Sequence, residues 1–140
     1  MRIRIEGVDL PGHRGADPLR FGDVSVGVQR RTDVVDRVPV TAGSAAWDVD
    51  VASREVDGLL DVTGPYVHGR PGARFLYLSW CVGDTMFRRA KLMFSDIPTE
   101  LLRAAHDDGV RLTARLGLTG VDGTPRCARV RPPDIVWHAG

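Results

Sequence analysis

Along most of the chain, apolar and polar side chains alternate one for one. Ile3 and Ile5 sit between Arg2, Arg4 and Glu6, while Val24, Val26 and Val28 alternate with Ser25, Gly27 and Gln29. Trp47, Val49 and Val51 alternate with Asp48 and Asp50, and Leu112, Ala114, Leu116 and Leu118 alternate with Arg111, Thr113, Arg115 and Gly117. Successive side chains of a strand point to opposite faces, so each run predicts a strand with one buried and one wetter face. The stretch Phe75–Trp80 is apolar on both faces, as a central strand would be, with Phe75, Tyr77 and Ser79 opposing Leu76, Leu78 and Trp80. Five such runs predict an antiparallel, sheet-rich domain.

Turn chemistry agrees with this division. Asp9-Leu10-Pro11-Gly12, Gly69-Arg70-Pro71-Gly72 and Asp122-Gly123-Thr124-Pro125 each separate two runs, and the last predicts a hairpin joining Leu116–Leu118 to Cys127–Val130. Arg131-Pro132-Pro133 then breaks the ladder, because proline donates no N–H, and Ile135-Val136-Trp137 reads as a short edge strand. One helix is predicted. Pro98-Thr99-Glu100 opens it, Leu101, Leu102 and Ala105 form its apolar stripe, and Gly109 stops it. The segment Met86–Phe94 fits two periods. As a helix capped by Asp84 it places Met86, Phe87, Ala90, Met93 and Phe94 on one face; as a strand it alternates Arg89 and Lys91 with Ala90 and Leu92. Pro98 follows closely enough to crowd a second helix, so the strand is preferred. Residues 10–22 and 30–45 read as long loops.

Composition narrows the classes. A chain of 140 residues and 15.3 kDa builds one domain, residues 1–140. With 43% hydrophobic and 26% charged residues, neither disorder nor a fibrous repeat is indicated. A net charge of +1 exerts no global pull on nucleic acid or anionic lipid, so neither is expected as a partner. No apolar run approaches the roughly 18 residues of a membrane span, and residues 1–6 lack the apolar stretch of a secretion signal. A cytoplasmic location is the expectation. Eighteen of the 19 basic residues are Arg, with Lys91 the sole lysine, and 15 of the 18 acids are Asp. That skew reads as codon bias in a GC-rich bacterial genome, which lowers the weight of any single arginine. Cys81 and Cys127, without a C-x-x-C pair, read as reduced thiols.

Two polar clusters carry candidate chemistry. The Gly- and Pro-rich stretch Gly64–Arg74 presents Tyr66, His68, Arg70 and Arg74. It reads as a clamp, with Arg70 and Arg74 holding an anion while Tyr66 or His68 moves a proton, or more plainly as a hairpin connection. The second cluster sets Arg88, Arg89 and Lys91 within four positions. Lys91 is a candidate base or Schiff-base nucleophile; the plainer reading is a solvated basic face paired with Asp84 and Asp96. His13, His68, His106 and His138 show no ligand spacing, so no metal site is expected. Ser79 lacks the flanking glycines of a nucleophile elbow, and Cys81 among apolar neighbours reads as core. No phosphate-loop or dinucleotide signature occurs, and no cofactor is expected. Trp47, Trp80 and Trp137 read as core filler on strands, with stacking on a flat ligand as the alternative.

The stretches Gly64–Trp80, Phe87–Leu92 and Cys127–Pro133, with Arg2–Gly7, Leu10–Gly12 and Val26–Arg30, resemble a family of small actinobacterial proteins carried as a domain of unknown function. The similarity covers most of the chain. It implies a bacterial, cytosolic origin and transfers no activity, cofactor or catalytic residue.

These readings predict a mainly β (α+β) fold of about six to eight antiparallel strands, as a β-sandwich or partly closed β-barrel with one or two short helices. The leading functional expectation is small-molecule binding. An apolar pocket between sheet and helix would be lined by Tyr77, Trp80 and Phe87, with Arg70, Arg74, Arg88, Arg89 or Lys91 at its mouth for a small anionic or polar ligand. An alternative is a metal-independent cyclase, isomerase or lyase of bacterial specialised metabolism, with Tyr66, His68 or Lys91 transferring the proton. A third is an interaction module pairing through an exposed strand edge, and a homodimer is among the expected assemblies.

Overall fold

The computed structural model describes residues 1–8, 24–83, 85–117, 127–130 and 135–140. The expected turns at 9–12 and 122–125, the loop at 10–22, the break at 131–133, His13 and Asp84 lie outside the described residues. Strands β1 (Arg2–Val8), β2 (Val24–Gln29), β3 (Val35–Pro39) and β4 (Ala45–Asp50) are followed by β5 (Ala52–Val56) and β6 (Leu59–Thr63). A two-residue strand, β7 (Val67–His68), leads into the two longest strands, β8 (Phe75–Val82) and β9 (Thr85–Met93). A 3-10 turn at Phe94–Asp96 and helix α1 (Thr99–Asp108) carry the chain to β10 (Leu112–Gly117), β11 (Cys127–Arg129) and β12 (Ile135–Ala139).

These strands form one sheet in the order β12-β10-β1-β4, another in the order β11-β9-β8-β2-β3 with β7 also on β8, and a separate β5-β6 hairpin. Strands make up 58% of the structure, and no sheet closes into a barrel. The alternating rows of both larger sheets meet in one hydrophobic cluster. Ile3, Ile5, Val49, Leu112, Ala114 and Leu116 come from the first sheet, and Val26, Val28, Leu76, Leu78, Trp80 and Leu92 from the second. Each large aliphatic side chain so buried stabilises the fold by about 1.5–3 kcal/mol relative to exposure. Helix α1 adds Ala105, with Leu101 and Leu102 packed alongside, and Gly109 ends it as expected.

Residues 86–93 are strand. β9 runs antiparallel to β8, placing Lys91 opposite Tyr77 and Arg89 opposite Ser79, with an irregularity after Trp80. Four expectations are corrected. Twelve strands form among the described residues where about six to eight were expected, because several are only two to five residues long. The 30–45 segment holds β3, which pairs along β2 from Ser25↔Pro39 to Gln29↔Val35; Asp36 and Arg37 interrupt its apolar pattern, as suits an outermost strand. The hairpin between Leu116 and Val130 does not form: β10 pairs with β1 and β12, while β11 pairs with β9. The sheets are also not wholly antiparallel, since β1–β10 and β9–β11 are parallel. A parallel pair needs a long crossover, and α1 with β10 supplies one between β9 and β11. Among the described residues, no helix is long and apolar enough to cross a membrane.

Candidate functional site

The Gly64–Arg74 stretch sends its polar side chains to different places. The Tyr66 hydroxyl donates to Asp36 on β3, Arg30 Nε donates to the same Asp36 oxygen at 2.9 Å, and the Arg30 guanidinium lies 5.4 Å over the Tyr66 ring. Hydrogen bonds from Tyr66 and then Arg30 hold the Asp36 carboxyl below its usual range. The same bond to Asp36, with burial, raises the Tyr66 phenol, so it stays protonated as a donor rather than serving as a base. Arg70 is exposed and has no side-chain partner among the described residues.

Arg74 turns the other way. Its Nε and Nη2 grip both oxygens of Asp61 on β6 at 3.0 and 3.2 Å, and its Nη1 donates to the Gly69 carbonyl at 2.7 Å. Asp61 is only 4% exposed. Its carboxyl is held below the usual range first by the Arg74 hydrogen bonds, against the cost of burial, with Arg54 assisting at 3.8 Å.

Asp61 and Arg74 line a cavity of about 290 Å³ between the β5-β6 hairpin, the 3-10 turn and α1. Leu59, Leu60, Val62, Phe94, Ile97 and Leu102 supply its apolar wall, and Thr99 and Arg103 join from α1. Arg103 is ion-paired with Glu55 on the hairpin. A bond from Ser53 Oγ to His106 Nδ1 at 2.8 Å ties hairpin to helix a second time. Apart from Arg74, none of the sequence candidates lines this cavity. The hairpin was nevertheless marked in the sequence by Asp57-Gly58 between two short runs; both residues have positive φ, 52° and 79°, as a tight two-residue turn requires.

His68, Tyr77, Arg89 and Lys91 meet on the face of β8 turned away from the core. His68, Phe75 and Tyr77 form a ring cluster: Tyr77 lies 4.8 Å from both other rings, edge-on, and His68 stacks on Phe75 at 5.7 Å. His68 Nε2 lies 2.9 Å from the Gln29 carbonyl; a carbonyl only accepts, so that nitrogen carries the proton. Arg89 holds its guanidinium 4.5 Å over Tyr77, and Lys91 Nζ sits 4.6 Å over Phe75 and 5.9 Å from Tyr77. Strand alternation thus unites His68, Tyr77, Arg89 and Lys91. Trp80 occupies the opposite face of β8, 2% exposed in the core. Phe87 and Arg88 lie on β9, with their side chains outside the described residues.

Among the described residues, no group of three or more His, Cys, Asp or Glu is placed to hold a metal ion, and Cys81 is a buried free thiol. No curated protein and no solved structure matches the chain. Its whole length, residues 1–140, matches one family, and the chain belongs to that family of unknown function (DUF5990).

Proposed function

We propose that this protein binds a small, largely apolar molecule bearing a hydrogen-bond acceptor, in the cavity between the β5-β6 hairpin and α1. The observation that carries this reading is the cavity's division into an aliphatic wall and a polar side rich in donors. Arg74 takes one acceptor site on each Asp61 oxygen, and Arg54 at 3.8 Å and the Val62 backbone draw on the rest, so the carboxylate is largely committed within the protein. Arg74 engages three of the five N–H groups a guanidinium carries, so two remain, and Arg103 keeps others beyond its bond to Glu55. A carbonyl or carboxylate is the complementary group. The volume of about 290 Å³ lies near the lower end of ligand pockets, roughly 300–1,000 Å³, which favours a small ligand. Tyr66, His68 and Lys91 are not among its lining residues, which favours binding over proton transfer.

The test is NMR titration of the methyl-labelled protein with benzoate and hexanoate. Saturable shifts are expected at Leu59, Leu60, Ile97 and Leu102. Replacing the lining, exposed Ser95 in S95W is expected to abolish them by filling the mouth. Arg103→Met, which keeps the stem and removes the donors, is expected to weaken binding about tenfold, since a hydrogen bond to a charged group contributes about 1.5–3 kcal/mol. Absence of saturation at millimolar ligand, or shifts confined to other residues, would end this reading.

A further inference from the structure

The ring cluster on β8 belongs to no part of that cavity, and it sets two cations, without a carboxylate partner among the described residues, over aromatic faces. Arg4, Arg30, Arg54, Arg74 and Arg103 each face a carboxylate. Arg89 and Lys91 do not: among the described residues their only polar partners are the faces of Tyr77 and Phe75. Two cations side by side repel one another and are tolerated best where an anion sits between them. Their positions are fixed beforehand, because the rings beneath them interlock and His68 is anchored to the Gln29 carbonyl. A site arranged in advance loses less on binding than a mobile one.

An unsatisfied buried donor lies next to the same place. The Ser79 hydroxyl, next on this face after Tyr77 and in register with Arg89, is 0% exposed and has no hydrogen-bond partner. Buried hydroxyls are nearly always paired, so this one is an unsatisfied donor beside Arg89; it is closed to solvent, and a ligand oxygen reaches it only if the side chains over it shift.

We infer that this face is a separate site for a phosphate monoester carried on a ring-bearing small molecule. At neutral pH a phosphate monoester carries about −1.5 to −2 charges, which matches one guanidinium and one ammonium where a carboxylate would neutralise only one. The planar fork of Arg89 suits two phosphate oxygens at once, and Lys91 adds a point charge. Phe75, Tyr77 and His68 are each only half-buried and offer ring edges for the organic part. A net charge of only +1 keeps the positive potential local, which suits a small anion better than a long polyanion.

The experiment is calorimetric titration of the full chain with phenyl phosphate, inorganic phosphate, benzoate and a single-stranded oligonucleotide. Phenyl phosphate is expected to bind at least tenfold more tightly than inorganic phosphate or benzoate, with affinity falling as salt rises. Arg89→Met and Lys91→Met keep the stems over the rings and remove the charge; each is expected to weaken binding tenfold or more while circular dichroism stays unchanged. S95W, which blocks the cavity under the hairpin, is expected to leave phenyl phosphate binding intact, so this site and the proposed cavity stand or fall separately. Should either methionine variant fail to fold, Lys91→Arg serves as the control and is expected to retain binding. The inference is overturned if, with the hairpin cavity blocked by S95W, inorganic phosphate or benzoate binds as tightly as phenyl phosphate, if the charge-removing variants bind normally, or if the oligonucleotide binds more tightly.

Discussion

Asp61 keeps a negative charge at 4% exposure because Arg74, itself 19% exposed, brings two donors to it. Its folded pKa is therefore below the ordinary aspartate value of 3.8. A carboxyl depressed in this way contributes stability in full above its unfolded pKa and loses it as the pH falls through the folded value. Asp61→Asn is expected to cost about 2 kcal/mol at neutral pH, by leaving the Arg74 cation without its counter-ion. It is also expected to flatten the loss of stability in acid. Urea denaturation of both proteins from neutral pH into the acid range checks both, and equal profiles would show the pair to be idle. At this scale the sequence was partly legible. Lys91, as the sole lysine, and His68 were singled out and share one face with Tyr77. Tyr77 and Trp80, three positions apart on one strand, necessarily point to opposite faces, so a single pocket never had room for both. Asp61 itself carried no local signal, because its role depends on an arginine 13 residues away.

Among the elements, the β2-β3 pair is set by a missing side chain. A Cβ on Gly27 would come within 2.0 Å of the Asp36 carbonyl oxygen and 2.9 Å of Arg37 Cα. Both are backbone atoms, so β3 must move. Gly27→Ala is expected to cost about 2–3 kcal/mol, in the range of overpacked sites. It is also expected to raise amide exchange across Val35–Pro39 and release Asp36 from Tyr66 and Arg30; unchanged exchange there would refute the steric argument. Elements with clean alternation, such as β1, β2, β4 and β10, could be read from the sequence, as could α1 from its proline start and glycine stop. β3 and β5 were hidden because charges interrupt their apolar rows. The partner of β11 was unreadable for a different reason: a three-residue strand carries too little pattern to choose between an adjacent hairpin and a distant parallel neighbour.

Across the whole molecule, the two larger sheets share one core, and all three tryptophans report on it. Trp80 is buried within it, while Trp47 and Trp137 pack partly buried against it from the other sheet. A single shared core predicts one cooperative transition. Tryptophan emission should shift to the red in denaturant with the same midpoint as the loss of far-ultraviolet circular dichroism. Two separated midpoints would mean that the sheets unfold independently. The sheet-rich class and single core were visible in the period-two rows. The pairing of strands distant in sequence was not, since alternation gives each strand its faces but not its neighbours.

β1 draws its neighbours from β4 and from β10, whose first residue follows the end of β1 by more than a hundred positions. During translation the chain therefore carries an amino-proximal ribbon with one hydrogen-bonding side vacant while all the intervening residues are added. Ile3 and Ile5 wait through that interval for Leu112 and Ala114. On a crowded polysome that vacant side is where a sister chain would insert, and the arrival of β10 is the event that shuts the opportunity.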